Sequence, residues 1–352
     1  MRFSRFGVLA LLAVTVLLGA NCSYYNRVMA RKNLVDGAKA YKDRKFPEAE
    51  ARFRYAASLD PNGDTVEGRT AQLSLARTLH SEYIGNRANK DLAQSALNEY
   101  KKSLPPSIKE LKETSAAYEK SPTSEDAQKK YYQSLAAVNS SSSAIASLYE
   151  NLAQPDQAKA WQNEVAANAD FPPTARARAL SSIAARSNTC ANEISDTEAT
   201  KKTIQKDGKD VFQFVKPANP QDFETMKQCV ADGLKTIDQA AALEPAQLKT
   251  ADTIDVKKIS DTEIELDLEI FKVFESARSY KASLTAQAMR AAEMEGNNAE
   301  RDRLKAEAEA AKDNFKKLSD VVKKLQTEKD ERIAAKEEAT KAEAAKNANA
   351  KK

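Results

Sequence analysis

The sequence predicts an all-α fold, a run of helical hairpins closed by a long C-terminal helix, and three observations carry that prediction. Ala, Lys and Glu are abundant while 352 residues include only 9 Gly and 1 His, a balance that favours helix. Small residues stand in the middle of paired helical stretches, where two helix axes approach closely only if the contact side chains are small. Near the C-terminus, Leu304, Ala308, Ala311, Phe315, Leu318, Val322 and Leu325 alternate spacings of four and three, the period of one buried helical stripe.

The first element is an export signal. Arg2 and Arg5 precede an apolar run without charge from Phe6 to Ala20, which is shorter than the roughly twenty residues a spanning helix needs. The junction Leu18, Gly19, Ala20, Asn21, Cys22 resembles a bacterial lipoprotein signal, in which Cys22 becomes the acylated first residue. That resemblance implies a membrane tether, and Ser23, where Asp would retain such a protein at the inner membrane, implies the outer membrane. Asn21 stands where the family prefers Gly or Ala, so cleavage after Ala20 without lipid is the alternative, and an uncleaved anchor is a third reading.

Asn33 to Asn62, "NLVDGAKAYKDRKFPEAEARFRYAASLDPN", reads as two helices around a tight turn. Gly37 and Ala49 stand at the crossing, Phe53 fills the wedge beside them, and Ala56 and Pro61 follow. The segment resembles a tetratricopeptide repeat (TPR), a helical hairpin of about 34 residues. Ala40 stands where that family has an aromatic, with Tyr41 next to it as a partial substitute. A second unit opens at Leu75-Ala76; its second helix carries Ala96, Tyr100 and Ser103 and exits at Pro105-Pro106. Ser124 is a predicted N-cap with Asp126 in the first turn. A third unit is read from Ala146 and Ala158, with "AQPDQA" as its turn and Trp161 on the second helix. The resemblance implies a TPR-type solenoid, because one unit cannot bury its apolar face alone.

The fourth unit places Ile183-Ala184 on its first helix and Gly233, Ile237, Ala240 and Pro245 on its second. Cys190 is expected near the end of the first helix and Cys229 at the start of the second, around an inserted loop, 191–222. Within it, "VFQFV" alternates as a strand does, after an Asp207-Gly208 turn. In an oxidising compartment a Cys190–Cys229 disulfide would close the base of this excursion; two buried free thiols are the alternative. Two cysteines with His80 alone do not complete a tetrahedral metal site, so no metal is expected.

From Asp261, the expected N-cap, the chain reads as helix from Thr262, although Ile264, Leu266, Leu268 and Ile270 alternate with acids as in a strand. After the Gly296-Asn297 turn the heptad seam packs on the preceding helix or pairs with a second chain. Beyond Ile333 no apolar face remains, which predicts a solvated, frayed or disordered tail. The expected divisions are thus a signal over 1–21, the first TPR unit over 22–62, degenerate units over 63–245, a connecting segment and last unit over 246–300, the heptad helix over 301–333 and an Ala/Lys/Glu tail over 334–352.

With 55 Lys+Arg against 51 Asp+Glu the net charge is +4, and loss of Arg2 and Arg5 would leave about +2. No strongly basic surface follows, and nucleic acid is not an expected partner. No Gly-rich phosphate loop and no Ser-His-Asp pattern is displayed, so neither enzyme activity nor a cofactor is expected. In TPR proteins the first helices of successive units line a groove that holds a peptide. Carried over by position, Tyr41, Lys42, Arg77 and His80 fall where groove residues lie, and basic groups there suit a carboxylate partner; ordinary solvated helix faces are the other reading. The function expected is an envelope-tethered adaptor for a protein or peptide in an outer-membrane assembly or secretion complex, a layout similar to that of barrel-assembly and pilus-secretin lipoproteins. The alternative is a structural tether whose tail, ending at Lys352, reaches peptidoglycan.

Overall fold

The structure, a computed structural model, describes residues 5–206 and 208–349, with side chains described over 24–205 and 208–344. The lipidation expected at Cys22 therefore falls where only the backbone is described, and Lys352 lies outside the described residues. The protein is all-α: α1 (Arg5–Lys42), α2 (Phe46–Ser58), α3 (Val66–Gly85), α4 (Lys90–Lys120), α5 (Glu125–Asn151), α6 (Pro155–Ala167), α7 (Pro173–Ser195), α8 (Pro220–Ala241), α9 (Asp261–Glu295) and α10 (Asn298–Asn349). Between α7 and α8 stand two antiparallel strands, β1 (Lys201–Lys206) and β2 (Lys209–Phe214), and a 3-10 helix spans Ala246–Thr253. The chain divides into two compact units, 1–116 with 137–161, and 117–136 with 162–352.

Three hairpin turns repeat one hydrogen-bond pattern. At the end of α1, Arg44 N donates to Tyr41 O, Lys45 N to Ala40 O, and Ala49 N to Lys45 O. After α5 the same offsets recur as Ala153 to Glu150, Gln154 to Tyr149 and Ala158 to Gln154, and after α9 as Gly296 to Glu293, Asn297 to Ala292 and Arg301 to Asn297. This is the Schellman closure, whose penultimate residue must be left-handed. Arg44 (φ 58°), Ala153 (φ 57°) and Gly296 (φ 74°) occupy that place. Glycine adopts it freely, while Arg44 and Ala153 carry a Cβ penalty.

In the first unit α1, α2 and α3 pack together. A Cβ on Gly37 would sit 2.7 Å from Phe53 Cε1, so the ring lies against the bare backbone. Ala49, Phe53 and Ala56 are buried there, and Pro61 is exposed at the exit. Ala40 is itself buried, whereas Tyr41 is exposed, so Tyr41 does not stand in for the missing aromatic. Between α2 and α3 the Asp60 carboxylate accepts from Asp64 N, Thr65 N and Thr65 Oγ1 and lies where a Cβ on Gly68 would be.

Pro105-Pro106 do not end a helix, contrary to the sequence reading, and α4 runs through them to Lys120. Pro105 is exposed and Pro106 half-buried beside Gly63, while Leu104, Ser107 and Leu111 are buried. Ser103 Oγ donates to Tyr100 O and Ser107 Oγ to Ser103 O. Burial of that stripe outweighs the cost of an interior proline, about 3 kcal/mol.

In the second unit α7, α8 and α9 pack mutually and α10 lies along α9. Gly233 is the close approach: its Cβ would meet Leu284 Cδ2 at 2.6 Å and Ser187 Cβ at 2.9 Å. Cys190 and Cys229 are disulfide-bonded, with Cα atoms 6.2 Å apart. They do not flank the turn as expected. Both helices run past them, α7 to Ser195 and α8 from Pro220, so the excursion narrows to 196–219. The extra turns are buried by Ala191, Phe223 and Met226, which pack with Phe214, Val230, Ala291 and Met294.

The N-cap of α9 is Ser260 rather than Asp261, with Glu263 completing a capping box. The alternating Ile264, Leu266, Leu268 and Ile270 are all buried within a helix, because α9 is covered by α7, α8 and α10. On α10, Leu304, Leu318, Val321, Val322 and Leu325 are buried, so the seam packs within the chain. Past Ile333 the chain stays helical through Asn349 with its described side chains exposed, so of the expected alternatives it is solvated and regular in backbone. Ala, Glu and Lys favour helix without tertiary help, and Lys336 pairs with Asp261.

Candidate functional site

The candidate site lies in the first unit, on the helices α1 and α3 with α4 and α5 beside them. Tyr41 leaves the last turn of α1; its ring meets Phe46 edge-on at 5.4 Å and its hydroxyl lies 2.8 Å from Ser81 Oγ. Arg77, on α3, is exposed and donates from Nη2 to Ser140 Oγ at 3.0 Å. One turn on, half-buried His80 stands edge-on to Tyr100, ring centroids 5.9 Å apart, with Nδ1 3.5 Å from its hydroxyl.

Tyr100 is the buried centre of this group. Burial pushes its phenol up to about 12, with Arg77 opposing and Tyr41 adding to the shift, so it stays protonated. Burial, and next the charge of Arg87, lowers His80 below its usual value. His80 is therefore a neutral ring at pH 7, not the basic groove residue expected, because protonation would place an unhydrated charge beside a cation. The cations left are Arg77, within the group, and Lys42, exposed and outside it.

Tyr41, Arg77 and His80 are thus gathered around Tyr100, and Lys42 is not. Sequence reasoning missed Ser81 and Ser140 as members. The signal for Ser140 was the run Ser140–Ser143 in a helix interior, where hydroxyls are neutral to unfavourable unless they bond. Around the site, Lys101 Nζ donates to Tyr149 Oη at 2.5 Å, Lys90 Nζ to Asn151 O at 2.9 Å and Trp161 Nε1 to Ser142 O at 2.9 Å. These bonds fix α4, α5 and α6 locally. A hollow of about 360 Å³ lined by Arg54, Ser95, Asn98, Glu99, Lys101 and Lys102 adds cationic surface on α2 and α4.

Among the described residues, no His, Cys, Asp and Glu cluster is disposed to hold a metal ion, and no helix is long and apolar enough to cross a membrane. No family model matches the chain and no curated protein matches it.

Proposed function

We propose that this protein is an exported, lipid-tethered adaptor of the TPR type, a binding protein rather than an enzyme, which holds an acidic protein or peptide segment in an outer-membrane assembly or secretion complex. The observation that carries the reading is an exposed phenol and an exposed guanidinium, Tyr41 and Arg77, on α1 and α3 around one buried tyrosine. The bond to Ser140 leaves most guanidinium donors of Arg77 open to a carboxylate. The recurrent Schellman turns support the repeat, and the Cys190–Cys229 bridge supports an oxidising compartment.

A photocrosslinking residue at position 41, and at exposed Tyr55 as control, tests the site in cells of a host that processes lipoproteins. The expected result is a discrete adduct from position 41 that disappears with Arg77→Glu and is absent from position 55. Identical adducts from both positions would sink the adaptor reading. Intact mass of the membrane-extracted chain tests the tether: acyl mass on a chain beginning at Cys22 supports it, and an unacylated chain beginning at Asn21 overturns it.

A structural tether is the second reading, favoured by the helical reach of α10 past Ile333, where the described side chains are exposed. Peptidoglycan digests carrying the tail covalently would support it, and their absence would remove it.

A further inference from the structure

Among the described residues, β1 and β2 are the only strands, and a lone two-stranded hairpin is marginal in water. This one is fastened at its inner end. Phe214 is buried with Phe223, Met226 and Met294, Arg290 lies 4.5 Å from its ring centroid, and its amide donates to Glu293 Oε1 at 3.2 Å.

The hydrogen-bond register identifies what the outer edge offers. Val215 N donates to Thr200 O across the pair, whereas Lys201 N turns away to Thr197 O and Phe214 N to Glu293. Inward-bonded and outward-facing pairs alternate along an antiparallel ladder. Lys201↔Phe214 is therefore an outward pair, and so are Thr203↔Phe212 and Gln205↔Asp210. β2 is the strand that contacts α9, which leaves β1 as the outer edge. Among the described residues the outward amides of Thr203 and Gln205 have no acceptor.

The chemistry of that edge selects its occupant. β1 carries three lysines and no acid. Lys201 is paired with Asp196 at 2.7 Å, whereas among the described residues Lys202 donates only to the neutral backbone carbonyl of Glu198 and keeps its charge uncompensated, so a second copy of β1 would be repelled. A lipid surface fits less well than an extended chain. Phe212 is the one exposed aromatic of the hairpin, on the same face as the buried Phe214, and the Lys201 ammonium sits 4.3 Å from its ring centroid, a cation that a lipid surface would have to displace for the ring to insert. The opposite face offers only Ile204 and Val211 as apolar groups.

We propose that the outer edge of β1 is a docking edge for an extended acidic polypeptide segment, which adds as a third strand through the backbone groups of Thr203 and Gln205 and sets a carboxylate against Lys202. The surface belongs to the second unit and stands independently of the Tyr41–Arg77 site.

The test uses the full mature chain with its disulfide formed. The probes are a synthetic peptide alternating glutamate with valine, its lysine-valine counterpart, and phosphatidylglycerol vesicles. The expected result is about tenfold slower amide exchange at Thr203 and Gln205 with the glutamate peptide alone. Thr203→Pro removes an outward donor without touching a β1–β2 bond and should weaken that binding about tenfold or more. Lys202→Glu, which alters no backbone group, should shift preference toward the lysine peptide. Unchanged exchange with the glutamate peptide, equal binding of both peptides, or a response to vesicles alone overturns the proposal; the last would make the hairpin a membrane contact.

Discussion

The α1–α2 and α7–α8 hairpins solve one packing problem with opposite connections. Each crosses at a glycine, Gly37 under Phe53 and Gly233 under Leu284 and Ser187. The first is joined by the short Schellman turn around Arg44, the second by the excursion 196–219 with a disulfide between helix interiors. Close helix approach thus depends on what faces the glycine and not on the loop. Lengthening a loop costs closure entropy that rises only logarithmically, and a covalent staple offsets it.

The largest effect expected is on the staple. Cys190→Ser with Cys229→Ser opens a sequence separation of 39 and should cost up to about 4 kcal/mol. Urea unfolding followed by amide exchange should show the loss in α7–α8 and none in α1–α2. Equal loss in both would mean that the bridge supports more than its own hairpin.

The units also differ in buried titratable groups. Burial, and next the charge of Glu263, raises Asp267 from 3.8 to about 6. Folding therefore favours its protonated form, and that stability is present below about pH 4 and lost as pH rises through about 6. Asp267→Asn should stabilise the protein by up to about 3 kcal/mol at pH 7 and by nothing at pH 4, read as the difference in urea midpoint. His80 has the opposite sign. Its lowered value means that stability present above its ordinary value of 6.5 is lost as pH falls through the folded value. Acidification from pH 7 toward 5 should therefore lower amide protection, taken relative to the intrinsic exchange rate at each pH, around His80 in α3 and raise it in the first turns of α9.

The glycines allow a finer comparison. Gly→Ala within a helix would ordinarily gain up to about 1 kcal/mol, but overpacking should make Gly37→Ala and Gly233→Ala each cost about 1–3 kcal/mol. Adding Phe53→Leu should recover most of the first loss. Adding Leu284→Val should recover less of the second, because Ser187 Cβ is fixed by its backbone. The smallest effect is at the left-handed positions. Ala153→Gly should stabilise by about 1 kcal/mol and Gly296→Ala should cost about as much, measured by thermal unfolding.

The sequence by itself determined the all-α class and the seam of α10, because each rests on composition or on periodicity that survives in any helical context; the close approach at Gly37 and the interruption between Cys190 and Cys229 were legible through resemblance to a repeat whose positions place them. Helix extent was decided by tertiary burial. Pro105-Pro106 read as a stop, yet the stripe of Leu104, Ser107 and Leu111 carries α4 through them. The alternation of Ile264, Leu266, Leu268 and Ile270 with acids left a strand open beside the helix read from Thr262, and packing of α9 against α7, α8 and α10 buries all four within the helix. The site was legible only in part. Tyr41, Arg77 and His80 were found by their place in the hairpins, while Ser81, Ser140, the central role of Tyr100 and the neutrality of His80 were not. Those depend on residues distant in sequence meeting in a buried space, where desolvation and neighbouring charge set what a side chain can do, and only the packed chain creates that space.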